Sequence, residues 1–314
     1  MAAKIADSML HAIGNTPVVR LNKVVPPDSA RVLVKLEYFS PTGSYKDRMA
    51  LAMIEEAEKR GVLRPGMTVV EYTGGSTGSS LSFVCAVKGY RFRVVCSDAF
   101  AKEKLQTMRL FGGDLDLVPS QGGKITPDLI PRMVERAKEI VSEQSSYFTD
   151  QFRNADMLKG YEGMAHELIE QSEGRIDAFC GGVGTAGMLM GVSRVLRQLK
   201  PAPKIVALEP ASSPAVSKGT SGTHHIEGVG SGFVPPLLRK GSYDEACGID
   251  EGEARTMARR LTREEGIFAG TSTGMNVVGA LALARELGAG RTVITVAVDS
   301  GLKYLAGDLY ADLA

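Results

Sequence analysis

Short β-branched runs alternate with longer stretches of helical spacing along this whole chain, and few folds accept that order. The runs "RVLVKLE" (31–37), "MTVVEY" (67–72), "RFRVVCS" (91–97), "RIDAFC" (175–180), "KIVALEP" (204–210) and "RTVITVAV" (291–298) have the composition and length of strands. Between them, apolar residues recur at helical intervals in 46–61, 101–113, 127–144 and 251–266, and several of these stretches close on a glycine suited to a left-handed C-cap. The alternation predicts an α/β fold of mostly parallel twisted sheets, each covered by helices on both faces. Such sheets bind ligands at the carboxyl ends of their strands, in the turns that lead into helices. The glycine-rich stretch 212–236 reads as a long loop.

Charge and hydropathy narrow the partners. A formal net charge of +1 over 314 residues offers no basic face to nucleic acid or to an anionic membrane, so small molecules are the expected ligands. No apolar run approaches the ~20 residues of a membrane span, and the opening "MAAKIADSMLHAIG" lacks the layout of a signal peptide, which predicts a cytoplasmic protein. Cys85, Cys96, Cys180 and Cys247 are scattered without a CxxC pair. They suit neither a disulfide framework nor a metal site and are expected to be buried reduced thiols. The adjacent His224 and His225 are expected to be solvated rather than metal-bound.

Three of the strand-to-helix turns are rich in glycine and hydroxyls: "YTGGSTGSS" (72–80), "CGGVGTAGM" (180–188) and "GTSTGMN" (270–276). Glycine leaves backbone N–H groups uncovered, and the partial positive charge of the following helix start favours anions. Together the turns point to a phosphate and a carboxylate as ligands. Residues 182–187, "GVGTAG", also match the dinucleotide fingerprint, with Glu209 as the acidic residue at the end of the next strand. That reading accounts for neither of the other two turns, nor for Lys46. In "SPTGSYKDRMA" (40–50) this lysine stands between a Pro-Gly turn and the first turn of a helix. A neutral lysine amine can form a Schiff base, and a helix N-terminus disfavours the ammonium form. The alternative is a solvated first-turn residue.

The segments "IGNTPVVRLNKV" (13–24), "PTGSYKDR" (41–48), "TGGSTG" (73–78), "GTAGMLMGVSR" (184–194), "EGVGSGF" (227–233), "GIFAGTSTG" (266–274) and "DSGLKYL" (299–305) complete the pattern. In order and spacing they resemble the pyridoxal-phosphate enzymes of the tryptophan-synthase-β fold type (fold type II). The likeness is above all to the cysteine synthase (O-acetylserine sulfhydrylase) and cystathionine β-synthase branch, and it covers nearly the whole chain. It implies two α/β domains: a smaller movable substrate-loop domain over 47–150 and a larger cofactor-binding domain from 1–46 plus 151–314. A homodimer is also implied.

Carried onto this sequence, the resemblance implies that Lys46 binds pyridoxal 5'-phosphate covalently and moves the Cα proton. Gly184, Thr185, Ala186, Gly187 and Met188 would hold the cofactor phosphate, Ser76 its phenolic oxygen and Ser300 its pyridine nitrogen. Thr73, Gly74, Gly75, Ser76, Thr77, Gln151 and Gly228 would bind the substrate. No metal is implied. The reaction is a β-replacement through an aminoacrylate, with cysteine formed from O-acetylserine, or a similar β-substituted amino acid, and sulfide. A cystathionine β-synthase-like condensation, a serine or threonine deaminating lyase, and a weakly active regulatory paralogue are the other readings. Two loops depart from the family pattern. The substrate loop usually runs Thr-Ser-Gly-Asn-Thr-Gly, so Gly74 replaces a serine and Ser76 an asparagine; the phosphate loop usually runs Gly-Thr-Gly-Gly-Thr, so Ala186 replaces a glycine and Met188 a threonine.

Overall fold

In the computed structural model, which describes residues 5–124, 126, 128–143 and 145–311, strands and helices alternate as the apolar pattern predicts. Strands β1 (Val18–Arg20) and β2 (Arg31–Leu36) lead into α1 (Lys46–Lys59), β3 (Thr68–Tyr72), α2 (Ser76–Lys88), β4 (Arg91–Cys96), α3 (Lys102–Leu110) and β5 (Asp114–Leu117). Next come α4 (Leu129–Glu143), β6 (Ser146–Phe148), α5 (Met157–Gln171), β7 (Ala178–Gly182), α6 (Gly187–Leu196), β8 (Lys204–Pro210) and α7 (Ala215–Lys218). The order closes with β9 (Glu245–Ile249), α8 (Glu251–Arg260), α9 (Thr271–Leu287) and β10 (Thr292–Ala297). Among the described residues, no helix is long and apolar enough to cross a membrane.

The chain divides into two units, one of the residues up to Ile13 with Lys46–Met157, the other of Gly14–Tyr45 with the residues from Leu158 onward. The first unit therefore includes the segment before Gly14, whose 3-10 turn Met9–Ala12 packs against α2. Its sheet has the order β5-β4-β3-β6 and is parallel throughout. The central β3 is buried at every residue, as a strand covered on both faces must be. Val70, Tyr72 and Val95 of the sheet pack against Leu129, Met133 and Ala137 of α4.

The second unit holds a sheet of order β1-β2-β10-β7-β8-β9, parallel except for the antiparallel edge strand β1. Its core joins β2, β7, β8 and β10 to α8 and α9. Every residue of β10 is buried. Strands β1, β5, β6 and β9 go beyond the sequence expectation, and the reason is physical. Two of them have only three residues, while β5 and β9 are sheet edges whose acidic residues blunt the strand signal. Asp116 of β5, for instance, pairs with Arg93 of β4 at 2.7 Å.

Two local expectations are corrected. Helix α8 stops at Arg260 and passes into a π turn, Leu261–Glu265, closed by Gly266 at φ 71. The turn delivers the Glu265 carboxylate to the N–H groups of Asn22, Lys23 and Val24 at 3.0, 2.5 and 2.9 Å, a better use of the segment than another helical turn. The stretch 212–236 is also not all loop, since it carries the short helix α7.

A buried cation anchors β2 against α5. Lys35 is fully buried, and its Nζ donates to Glu167 at 2.5 Å, to Gln171 at 2.8 Å and to the Thr16 carbonyl at 2.7 Å. Thr16 in turn donates to Glu37 at 2.6 Å. Removing the ammonium strands a carboxylate and a carbonyl, so Lys35→Met is expected to cost about 3 kcal/mol of stability in denaturant unfolding. A loss below about 0.5 kcal/mol would show that methionine packing replaces the network fully.

Candidate active site

In the second unit, β7 ends in Gly182 and residues 183–186 turn the chain into α6. A Cβ on Gly184 would overlap the carbonyl oxygen of Gly228, so this turn and the 227–233 loop touch backbone to backbone. Gly230 N–H donates to the Val183 carbonyl at 2.9 Å. His224 locks that loop: Nε2 donates to the Gly230 carbonyl at 2.9 Å while Nδ1 accepts the Ile226 N–H at 3.2 Å, a pairing that assigns the neutral tautomer. His224 is thus a structural tie rather than a solvated side chain. His225 is exposed and meets Glu251 at 3.1 Å.

Ala186, the N-cap of α6, sits at φ 68 and ψ −8, in the left-handed region. Past it, the first N–H groups of α6 have no partner within their own helix. Met188 is buried, and its thioether end lies where a side chain on Gly181 would stand. Its side chain therefore packs back on β7 and leaves its main-chain N–H to the loop. Gly228 lies against this phosphate-loop candidate.

β10 adjoins β7, and Asp299 and Ser300 follow its end. Ser300 N–H donates to the Gly43 carbonyl at 2.9 Å, and its Oγ accepts the Leu302 N–H at 3.3 Å, which leaves the hydroxyl proton as a donor. Ser44 donates to Asp299 at 2.5 Å. Sequence reading missed Asn276, a buried residue of α9. Its amide accepts the Gly182 N–H at 2.8 Å and donates to the Val296 carbonyl at 2.9 Å, which joins the ends of β7 and β10. Thr273 accepts the Val298 N–H at 3.0 Å. Through Thr273 and Asn276, the third glycine-rich turn, 270–276, ties the ends of β7 and β10 together.

In the first unit, Lys46 opens α1 and is only 7% exposed, which excludes the solvated reading. The residue before it, Tyr45, donates its N–H to the Val298 carbonyl at 3.1 Å. α1 packs against α2, the helix that Ser76 and Thr77 begin. Thr73 N–H donates to the Val95 carbonyl at 2.9 Å, and Gly75 N–H to Thr73 Oγ1 at 3.2 Å. Thr77 donates to Gln151 Oε1 at 2.8 Å. Thr73, Gly74, Gly75, Ser76, Thr77 and Gln151 therefore form one cluster at the carboxyl end of β3.

Beneath that cluster lies Glu71, a buried carboxyl that sequence reading did not single out. It accepts the Thr149 hydroxyl at 2.7 Å, the Gln151 N–H at 3.0 Å and the Tyr72 N–H at 2.9 Å. Burial pushes its pKa up to about 8, against the opposite pull of those three donors. Thr149 Oγ1 is also 3.1 Å from the Val70 carbonyl. When Glu71 is protonated it can donate to Thr149 while Thr149 donates to Val70, so both charge states are satisfied.

The remaining candidates have structural uses. Glu209 accepts the N–H groups of Val216 and Ser217 and the Ser217 hydroxyl at 2.7, 2.9 and 2.6 Å, so it caps α7 and is not held out for a ribose. Cys85, Cys96 and Cys180 are buried, and burial pushes their thiols to about 12, 11 and 12. Cys247 is half-buried, and its thiol is raised to about 11. None is poised as a thiolate nucleophile.

The family model described as "Pyridoxal-phosphate dependent enzyme" matches residues 9–299. The cysteine synthase of Staphylococcus aureus is 42% identical over 313 residues, 99% of each chain. The chain belongs to the pyridoxal-phosphate-dependent enzymes, in the cysteine synthase branch. Solved structures place it in fold type II: an O-ureido-L-serine synthase aligns with a TM-score of 0.90 at 36% identity, covering 99% of this chain and 97% of that one. The cysteine synthase of Entamoeba histolytica aligns with a TM-score of 0.92 at 33% identity, covering 98% and 91%.

Pyridoxal phosphate carries a dianionic phosphate and a pyridine nitrogen, and the second unit fits both. The 183–187 turn has no side chain at Gly184 and opens a ten-residue helix, which suits the phosphate. Ser300, at the end of the neighbouring strand, retains a proton for a neutral ring nitrogen.

Two tests follow. Because folding raises the Glu71 carboxyl above its ordinary 4.5, the stability it contributes is complete below about pH 4.5 and is lost as the pH climbs to about 8. Wild-type Tm should fall across that window more steeply than that of Glu71→Gln; parallel slopes would refute the raised carboxyl. Ala186→Gly relieves a left-handed alanine and should add roughly 1 kcal/mol in denaturant unfolding.

Proposed function

We propose that this enzyme catalyses β-replacement on an amino acid, making cysteine from O-acetylserine and sulfide. The observation that carries this reading is the buried Lys46 at the start of α1, in a chain whose first unit gathers the 73–77 loop with Gln151 and whose second unit opens α6 on a glycine turn. Bound pyridoxal phosphate supplies the electron sink that stabilises charge at Cα. The protein residues do the rest. Thr73, Thr77, Gln151 and the N–H groups of Gly74 and Ser76 bind the donor's carboxylate. The Lys46 amine takes the Cα proton as acetate leaves Cβ, hydrosulfide bonds to Cβ, and Lys46 returns a proton to Cα. Atoms balance as O-acetylserine plus hydrosulfide giving cysteine plus acetate.

Gly184 through Met188 contribute backbone N–H groups to the cofactor phosphate, with Gly228 holding Gly184 in place. Ser300 gives the ring nitrogen a neutral partner, which leaves the ring a moderate sink suited to elimination and replacement. Ser76, in place of an asparagine amide, would be the side chain offered to the cofactor's phenolic oxygen. We propose further that the enzyme is a cytoplasmic homodimer acting on small molecules.

The test is cysteine formation by the cofactor-loaded protein with O-acetylserine and sulfide. Lys46→Ala should lower kcat on the order of a thousandfold and abolish the visible absorption of the bound cofactor. Variant turnover within tenfold of wild type would remove Lys46 from the mechanism. Ammonia and an oxo acid released from serine or threonine, without added thiol, would assign a deaminating lyase instead.

A further inference from the structure

Gly74 is not a glycine for the sake of its backbone. Its φ lies outside the left-handed region, unlike that of Gly43, Gly61 or Gly89. What forbids a side chain there is Phe100: a Cβ on Gly74 would overlap the Cγ, Cδ1 and Cδ2 atoms of its ring. The next residue, Gly75, has open space at the same position. The ring therefore occupies the place in which the family's usual substrate loop carries a serine side chain.

Phe100 is placed by its own turn rather than by the glycine. Its N–H donates to the Ser97 carbonyl at 3.2 Å. Asp98 Oδ1 accepts the Ser97 hydroxyl at 3.1 Å and the Ser120 N–H at 2.8 Å, which holds the turn after β4. The ring is half-buried and packs against the cluster of Val70, Tyr72 and Val95. β3 and β4 are neighbours in register, so the turns after them meet at one sheet edge, and Thr73 N–H bonds to Val95 there.

We propose that Phe100, seated on Gly74, is a specificity-determining residue that sets how the 73–77 loop receives the donor amino acid. This rests on the reading of that loop as the carboxylate clasp. The loop's second position presents an aromatic wall in place of a hydroxyl. The donor's carboxylate is then held by backbone N–H groups, Thr73, Thr77 and Gln151, and the ring sheds water from one flank and limits bulk. An apolar wall strengthens the neighbouring hydrogen bonds by lowering the local dielectric. Residues 74 and 100 thus act as one unit, since a side chain at 74 needs the place that the Phe100 ring fills.

A double-mutant cycle on the cofactor-loaded enzyme tests this, with Gly74→Ser, Phe100→Ala and the pair assayed for O-acetylserine KM, kcat and Tm. Gly74→Ser alone should raise the donor KM about tenfold or more with kcat changed by less than about threefold, the pattern of lost donor binding. In the Phe100→Ala background the same serine should change KM by less than about threefold. Additive effects on KM, or coupling seen in Tm alone, would overturn the proposal, since a merely structural pair moves stability and not donor binding. A wild-type enzyme that turns over O-acetylserine while the cycle is additive sinks the Phe100 assignment only. A wild-type enzyme that responds to no β-substituted amino acid sinks the clasp reading and this inference with it.

Discussion

A parallel strand that feeds a helix leaves unpaired N–H groups at the turn, and both units of this protein are organised around that constraint. In the second unit the turn after β7 is pressed so tightly on the 227–233 loop that Gly184 has no room for a Cβ. His224, Gly230 and Val183 then form a chain of hydrogen bonds that holds the two backbones together. In the first unit the turn after β3 is held from below by a buried carboxyl and from the side by Gln151. Each turn has its shape fixed by groups elsewhere in its own unit.

The things that fix those shapes are polar side chains that each meet several hydrogen-bond partners. Glu71 receives three donors, Glu209 three, and Glu265 three backbone N–H groups. Asn276 both gives and accepts across the strand ends. A half-satisfied group at any of these places costs more than an apolar residue, while a fully satisfied one makes the local geometry unique. Glu71 lies wholly in the interior, where burial outweighs its donors and raises its pKa.

Much of this was legible in the sequence, because the relevant signals are local. β2, β3, β4, β8 and β10 lie within the β-branched runs, and α1 begins at Lys46 itself, where the Pro-Gly turn gives way to helical spacing. Thr73, Thr77 and Gln151 were named from the family resemblance, and the structure gathers them into one cluster. The residues that were missed act over long separations. Gln151 meets Glu71 across 80 positions, and Gly182 meets Asn276 across 94. No window of sequence contains both partners, and a lone Glu in a strand or Asn in a helix carries no periodic signal. In the turn at 270–276, Gly274 is small so that α8 can approach, a packing role that its local sequence does not announce.

The departures from the family pattern are of two kinds, and the difference bears on chemistry. Ala186 and Met188 alter the cradle without removing a backbone donor: the alanine is strained in its left-handed pose, and the methionine turns its side chain onto Gly181. Anion binding by a helix start depends on those N–H groups, so it survives both changes. Gly74 and Ser76 alter side chains that would face an incoming amino acid, and at position 74 the space has been taken over by the ring of Phe100. The second unit's departures therefore leave the backbone donors in place, whereas those at the first unit's loop change the side chains around it.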